Sequence, residues 1–293
     1  MERGLAESRA KAQAIIMAGQ VRVNGQVVDK ASASFLPDVQ IVVDSGPRFV
    51  SRGGEKLLGA LEAFGIAPSG LVCADVGAST GGFTDCLLQH GAVKVYAIDV
   101  GKGILHWKLR TDPRVVVMEE TNARFVDSLP EPIQLVVCDA SFISLKVLLP
   151  VMKMWFTPSP TGRGAGDEVE PPLRLPPSPA EIGGETSPVL TLNLKNLGGD
   201  TEGGLVALIK PQFEAGRKES AKHKGVIRDP EIHARILLDV LGFAVECGYG
   251  LRGLEKSPLL GPKGNVEFLA WLEIGENQAD INKIVENLVT YQP

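Results

Sequence analysis

Two sets of residues in this 293-residue chain have types and settings suited to chemistry. The first is the corner Asp75-Val76-Gly77-Ala78-Ser79-Thr80-Gly81-Gly82-Phe83, which follows an apolar run and leads into a helical stretch. Glycines at such a corner let the backbone pass close to a ligand and tolerate unusual dihedrals. The spacing differs from the GxGxxG of dinucleotide enzymes. About one strand later Asp99 ends VYAID, where a carboxylate can accept hydrogen bonds from ribose hydroxyls. Each feature alone reads as a tight turn or an exposed strand end. Both in this order point to a nucleoside-containing cofactor. The second set is Lys56 in SRGGEKL, Asp139 in VVCDASF, Lys210 in ALIKPQFEAG and Glu267 in GNVEFL. A lysine closing an apolar strand is costly to bury without a partner or a task. Taken singly, each of the four reads as a salt bridge reaching the surface. Together, two lysines and two carboxylates can pair in one cleft, where pKa values are usefully perturbed.

The elements that must position these residues are legible as apolar patterns. From about residue 47 the runs LVCADVG, KVYAIDVG, RVVVME, IQLVVCDAS and GLVALIK alternate with helical stretches. That alternation implies an α/β fold, a mostly parallel sheet covered by helices on both faces. In such sheets a ligand sits beyond the carboxyl ends of the strands, and Asp75, Asp99, Asp139 and Lys210 fall at or near the ends of these runs. Residues 1–43 read as a small α+β unit. Ser8 caps a helix that Gly19 stops, VRVNGQVV makes a hairpin around Asn24-Gly25, and VQIVV adds an extended segment. The domains expected are therefore 1–46 and 47–293. Residues 157–203 carry eight of the 20 prolines and read as a disordered surface insertion.

Composition narrows the function classes. No apolar run approaches the ~20 residues that span a bilayer, and MERGLAESRAK lacks the apolar core of a signal peptide. Cys73, Cys86, Cys138 and Cys247 have no CxxC spacing, so buried thiols in a reducing cytoplasm are expected. The formal net charge is −5, but residues 157–203 contribute three basic and seven acidic residues. Without them about −1 remains, and residues 1–56 are net positive with eight Lys/Arg against six Asp/Glu. The acidity therefore does not exclude a nucleic-acid substrate. Arg3, Arg9, Lys11 and Arg22 offer a basic face for phosphates; with Glu2 and Glu7 interleaved, the same residues also read as an ordinary solvated surface.

The motifs DVGASTGGFTDC, CDASFISL, LIKPQFEAG and GPKGNVEF, in this order, resemble those of the TlyA family, also called hemolysin A-type rRNA methyltransferases. The resemblance covers nearly the whole chain apart from 157–203. It implies an S4-like RNA-binding domain followed by an FtsJ/RrmJ-like, Rossmann-like methyltransferase sheet. It also implies methyl transfer from S-adenosylmethionine to a ribose 2′-hydroxyl of cytidine in small- and/or large-subunit ribosomal RNA. By motif, the catalytic tetrad falls on Lys56, Asp139, Lys210 and Glu267. The S-adenosylmethionine site falls on Asp75, Gly77, Gly81 and Phe83, with Asp99 for the ribose and Asn122 for the adenine. Lys210 is the expected base, its amine freed by nearby cationic Lys56 and partial burial and oriented by Asp139; no metal is required. Family members usually carry an arginine-containing helix before ERGL, whereas this sequence starts at Met1-Glu2-Arg3, which implies either a misjudged start site or a shortened S4 domain. Partners implied are ribosomal RNA or ribosomal subunits, not membranes. The alternatives are a non-catalytic RNA-binding protein with a methyltransferase-like fold and, following the family's name, a membrane-active haemolysin.

Overall fold

The structure, a computed structural model, describes residues 3–17, 19–36, 38–43, 46–156 and 203–290. The expected insertion at 157–203 lies outside them except for Gly203. The chain divides into two units, Met1–Val50 and Ser51–Pro293.

In the first unit, α1 (Arg9–Met17) opens where the Ser8 hydroxyl accepts the Lys11 N–H at 3.2 Å, and Gly19 follows it at φ +68°. Strands β1 (Val21–Val23) and β2 (Gln26–Val28) form the expected hairpin. Asn24 and Gly25 both take positive φ (48° and 83°), as a two-residue turn matching the strand twist requires. β3 (Ile41–Val43) pairs with the other side of β1, and Val21 and Val23 are buried between them.

The second unit begins with α2 (Gly53–Phe64) and then alternates strand and helix. β4 (Val72–Val76), α3 (Gly82–Gln89), β5 (Lys94–Ile98), α4 (Trp107–Arg110) and β6 (Val115–Met118) form its first half. β7 (Leu135–Cys138), α5 (Leu145–Lys153), β8 (Gly204–Ile209), α6 (Pro211–Glu214), α7 (Gly216–Lys222) and α8 (Pro230–Glu246) follow. β9 (Tyr249–Lys256), β10 (Phe268–Ile274) and α9 (Ile281–Thr290) end the chain. The seven strands lie in the order β6-β5-β4-β7-β8-β10-β9. β4 to β8 are parallel to one another, and β10 runs antiparallel to both β8 and β9. All four residues of β7 and all six of β8 are buried, as expected of strands covered on both faces.

The chain leaves β4 toward β5 and β6 on one side and returns to build β7 and β8 on the other. The topological switch point therefore lies between β4 and β7, where such sheets bind ligands. Cys73, Cys86 and Cys138 are buried free thiols and Cys247 is half-buried. Burial pushes the Cys73 and Cys138 thiols up to about 12, which leaves them protonated and inert at neutral pH.

Candidate active site

Four parallel strands deliver residues to one end of the sheet. Gly77 follows β4, Asp99 follows β5, Asp139 follows β7 and Lys210 follows β8. Glu267 arrives differently. It precedes β10, and because β10 is antiparallel to β8 with Phe268 opposite Ile209, its first residues lie at the same end as Lys210. Lys56 comes from the first turn of α2. Gly82 opens α3 against α2 so closely that a Cβ there would lie 2.8 Å from the Gly54 nitrogen, which brings the Lys56 turn to the glycine corner.

The four candidate catalytic residues form two ion pairs. Lys56 Nζ lies 2.5 Å from Glu267 Oε2, with the two side chains 10% and 1% exposed. Gln212 Nε2 donates to the other Glu267 oxygen at 3.2 Å. Lys210 Nζ lies 2.6 Å from Asp139 Oδ1, out of line for a directed hydrogen bond. The same amine donates to the Ser141 hydroxyl at 2.8 Å and the Asp139 carbonyl at 3.1 Å. Lys56, expected to act on Lys210 as a nearby cation, has its charge met by Glu267, which the antiparallel β10 brings to this end of the sheet.

A cavity of about 960 Å³ is lined by all four residues and by Gly77, Asp99 and Asn122. Asp99 is fixed by two backbone donors, the Ser79 N–H to Oδ2 at 2.8 Å and the Gly101 N–H to Oδ1 at 2.7 Å. Each oxygen keeps a lone pair for a further donor. Asn122 uses its Oδ1 to cap the turn 123–125 through the Arg124 N–H. A smaller cavity of about 220 Å³ beside the first is lined by Ser79, Gly82 and Phe83, and again by Gly77, Lys56 and Asp139.

Two expected cofactor residues stand behind this surface, on neither cavity wall. Asp75 is fully buried within β4, one oxygen accepting from the Thr84 hydroxyl at 2.6 Å and the other without a partner. Burial, the largest cause, pushes its pKa up to about 7. Gly81, at φ +94°, is packed beneath Leu105 and Leu109. The glycine corner thus serves contacts within the protein as much as a ligand. Gly77 at φ +81° sits where a Cβ would lie 3.0 Å from the backbone of Ala140, which keeps the β4 and β7 corners together.

The sequence patterns did not single out Ser141, Gln212 or Glu214. Glu214 accepts from the Ser144 hydroxyl at 2.6 Å and the Leu145 N–H at 2.9 Å, which ties the start of α5 to the segment after Lys210. Burial raises its pKa. Its place in LIKPQFE, one turn beyond Lys210, was the available signal. Phe142, at φ +65° and 90% exposed, packs on Phe213 with ring centroids 4.9 Å apart at the cavity wall.

In the first unit, Arg3, Arg9, Lys11 and Arg22 are all exposed. Arg3 donates to the Val39 carbonyl at 2.6 Å. Arg9 and Lys11, two residues apart on α1, point about 200° away from each other. They do not share one face of that helix.

The profile described as FtsJ-like methyltransferase matches residues 49–274, and the S4 domain profile matches residues 2–41. The 16S/23S rRNA (cytidine-2′-O)-methyltransferase TlyA of Mycobacterium tuberculosis is 40% identical over 293 residues, covering 99% of this chain and 93% of its own. The chain belongs to the TlyA family of FtsJ-like methyltransferases. Another relative, described as a candidate rRNA methyltransferase (YqxC) of Bacillus subtilis, is 41% identical over 286 residues, 95% of this chain and 85% of its own. A solved structure from Streptococcus thermophilus, described as a candidate hemolysin, aligns with TM-score 0.66 at 34% identity over 99% of this chain and 91% of its own. The α/β sheet and N-terminal S4 domain described above are those of this TlyA family.

Proposed function

We propose that the chain transfers a methyl group from S-adenosylmethionine to the 2′-hydroxyl of a cytidine ribose in small- and/or large-subunit ribosomal RNA. The observation that carries this is the convergence of Lys56, Asp139, Lys210 and Glu267 on the cavity that also holds Asp99 and Asn122. The cavity fits the cofactor in its donor set. It offers a carboxylate with free lone pairs for a ribose, an amide beside it, and the apolar side chains of Ile98, Val100 and Ile104 for a nucleobase. When bound, S-adenosylmethionine supplies a methyl group already activated by its sulfonium.

The chain's own residues then have to align and deprotonate a weak nucleophile. Lys210 takes the hydroxyl proton. Its amine is held by a carboxylate, a carbonyl and a hydroxyl oxygen, and a base must present a lone pair, so Lys210 acts from its neutral form. Asp139, in contact at 2.6 Å, orients it. Lys56 and Glu267 position the ribose as a paired donor and acceptor. The exposed ring of Phe142 offers a face to an unstacked base, the form in which RNA is read in detail. The exposed Arg9, Lys11 and Arg22 of the S4 unit serve RNA phosphates, while Asp75 and Gly81 support the cofactor loop from behind.

The haemolysin naming of relatives suggests lysis, yet among the described residues no helix is long and apolar enough to cross a membrane. Lys210→Ala tests the proposal. Radiolabelled methyl transfer to ribosomal subunits should vanish, while S-adenosylmethionine still binds by calorimetry. Wild-type turnover in the variant would reject Lys210 as the base. An inactive but RNA-binding wild type would make the chain a non-catalytic binder.

A further inference from the structure

Outside the tetrad, one carboxylate gathers an unusual number of donors beside the cavity. Glu119, just after β6, accepts the Gly103 N–H at 2.7 Å on Oε2. Its Oε1 accepts the Ile104 N–H at 2.9 Å, the Leu105 N–H at 3.0 Å and the Arg110 guanidinium at 2.6 Å. Three consecutive backbone donors and a helix arginine thus converge on one side chain, itself 13% exposed. The Arg110 hydrogen bond first, then those from the Leu105 and Gly103 N–H groups, hold its pKa down at about 2, so it is ionised at neutral pH.

What Glu119 holds borders the proposed cofactor site. Val100 and Ile104, in and beside the gathered loop, line the cavity while remaining 67% and 38% exposed. Apolar side chains open on a cavity wall are surface that a ligand covers. At the start of the same loop, the Gly101 N–H is fixed by Asp99 Oδ1, and Asp99 Oδ2 reaches back to Ser79 in the glycine corner. At its far end, Leu105 and Leu109 pack over Gly81. Glu120 takes φ +52°, its N–H donates to the Gly101 carbonyl at 2.9 Å and the Thr121 N–H to the Asp99 carbonyl at 2.9 Å, so the two loops are stitched together. Glu119 itself lines neither cavity, and its oxygens are occupied within the protein.

We infer that Glu119 is a positioning residue for the methyl donor, presetting the loop 100–105 that carries Asp99's partner and the apolar wall of the adenosine pocket. The inference rests on the reading of that cavity as the S-adenosylmethionine site. A loop already ordered spares the ligand the entropy of ordering it.

Glu119→Gln keeps the shape but turns one carboxylate oxygen into an NH₂, which meets donors on either side whichever way the amide faces. Glu119→Ala removes the hub, and Arg110→Ala removes one donor of four. For Glu119→Gln, the Kd and KM for S-adenosylmethionine should rise about tenfold, with kcat at saturation and RNA affinity unchanged. Hydrogen exchange at Gly103, Ile104 and Leu105 should speed up while β4 and β7 stay protected. Arg110→Ala should give a smaller rise of the same kind and keeps the test open if Glu119→Ala does not fold. Wild-type Kd in Glu119→Gln, or a fall in kcat with KM unmoved, overturns the inference. Failure of the wild type itself to bind S-adenosylmethionine would instead overturn the reading of the cavity.

Discussion

Lys56→Met removes a cation from a nearly dry ion pair and leaves its length behind. In the native protein Glu267 is 1% exposed and has two donors, Lys56 at 2.5 Å and Gln212 at 3.2 Å. In the variant only the amide remains, and a buried carboxylate with one neutral donor is poorly compensated. Breaking such a pair by deleting one partner typically costs about 3–5 kcal/mol. Protonation sets a ceiling: a glutamate with a reference pKa near 4.3, made to carry a proton at pH 7, costs about 4 kcal/mol. The two figures agree, so a loss of about 3–4 kcal/mol at pH 7 is expected. Its pH dependence is diagnostic. As pH falls toward 4 the unfolded chain takes up the same proton, and the penalty shrinks. Lys56→Met/Glu267→Leu should recover most of the stability, because an apolar pair of similar volume can replace a buried ion pair, yet it should stay inactive. Urea unfolding at pH 7 and pH 4.5, beside the methyl-transfer assay, measures all of this. A loss below about 1 kcal/mol, or one equal at both pH values, refutes the picture of a desolvated pair. Activity in the double variant would refute its part in the chemistry.

Two further outcomes are expected. Because burial holds the Asp75 carboxyl up at about 7, the folded protein keeps a proton that the unfolded chain gives up near pH 4. Its contribution to stability therefore declines as pH rises from about 4 to about 7. Asp75→Asn cannot titrate there, and denaturation midpoints across that window should lose this slope; an identical slope in the variant contradicts it. Gly261→Ala should cut activity and cost about 1–3 kcal/mol, since the new methyl would run into the Glu267 carboxylate, which Lys56 and Gln212 hold in place. Full activity with an unchanged melting temperature would show that Glu267 is free to move.

Much of the architecture was legible because it rests on local periodicity. The Asn24-Gly25 hairpin, the Ser8 cap and the alternating runs predict the elements now seen, and the residues ending those runs predict which end of the sheet bears the site. The Lys210–Asp139 contact was anticipated from the family resemblance, but the partner of Lys56 was not legible. Lys56 and Glu267 are 211 positions apart, and nothing local says that β10 enters antiparallel beside β8. That reversal brings Glu267 to the end of the sheet where Lys56 meets it. The corner glycines were read as room for a ligand, whereas Gly77 and Gly81 answer to Ala140, Leu105 and Leu109, contacts that exist only once the sheet is assembled. Asp75 is the penultimate residue of β4, a strand covered on both faces, and there Thr84 meets it, a contact that the sequence does not show. Glu119 was invisible for a related reason: its partners are mostly backbone N–H groups, which carry no sequence signature.

The contact between Phe156 and Gly203 has a consequence for how the sheet is laid out. Phe156 bridges Ile133 just ahead of β7, and its ring fills the space beside Gly203 just ahead of β8. The two residues therefore touch, at the amino-terminal edge of the sheet. From there the six residues of β8 carry the backbone about 20 Å before it reaches Lys210. The fold thus sets the Phe156–Gly203 packing contact at one edge of the sheet and the reacting groups at the other, a strand's length apart.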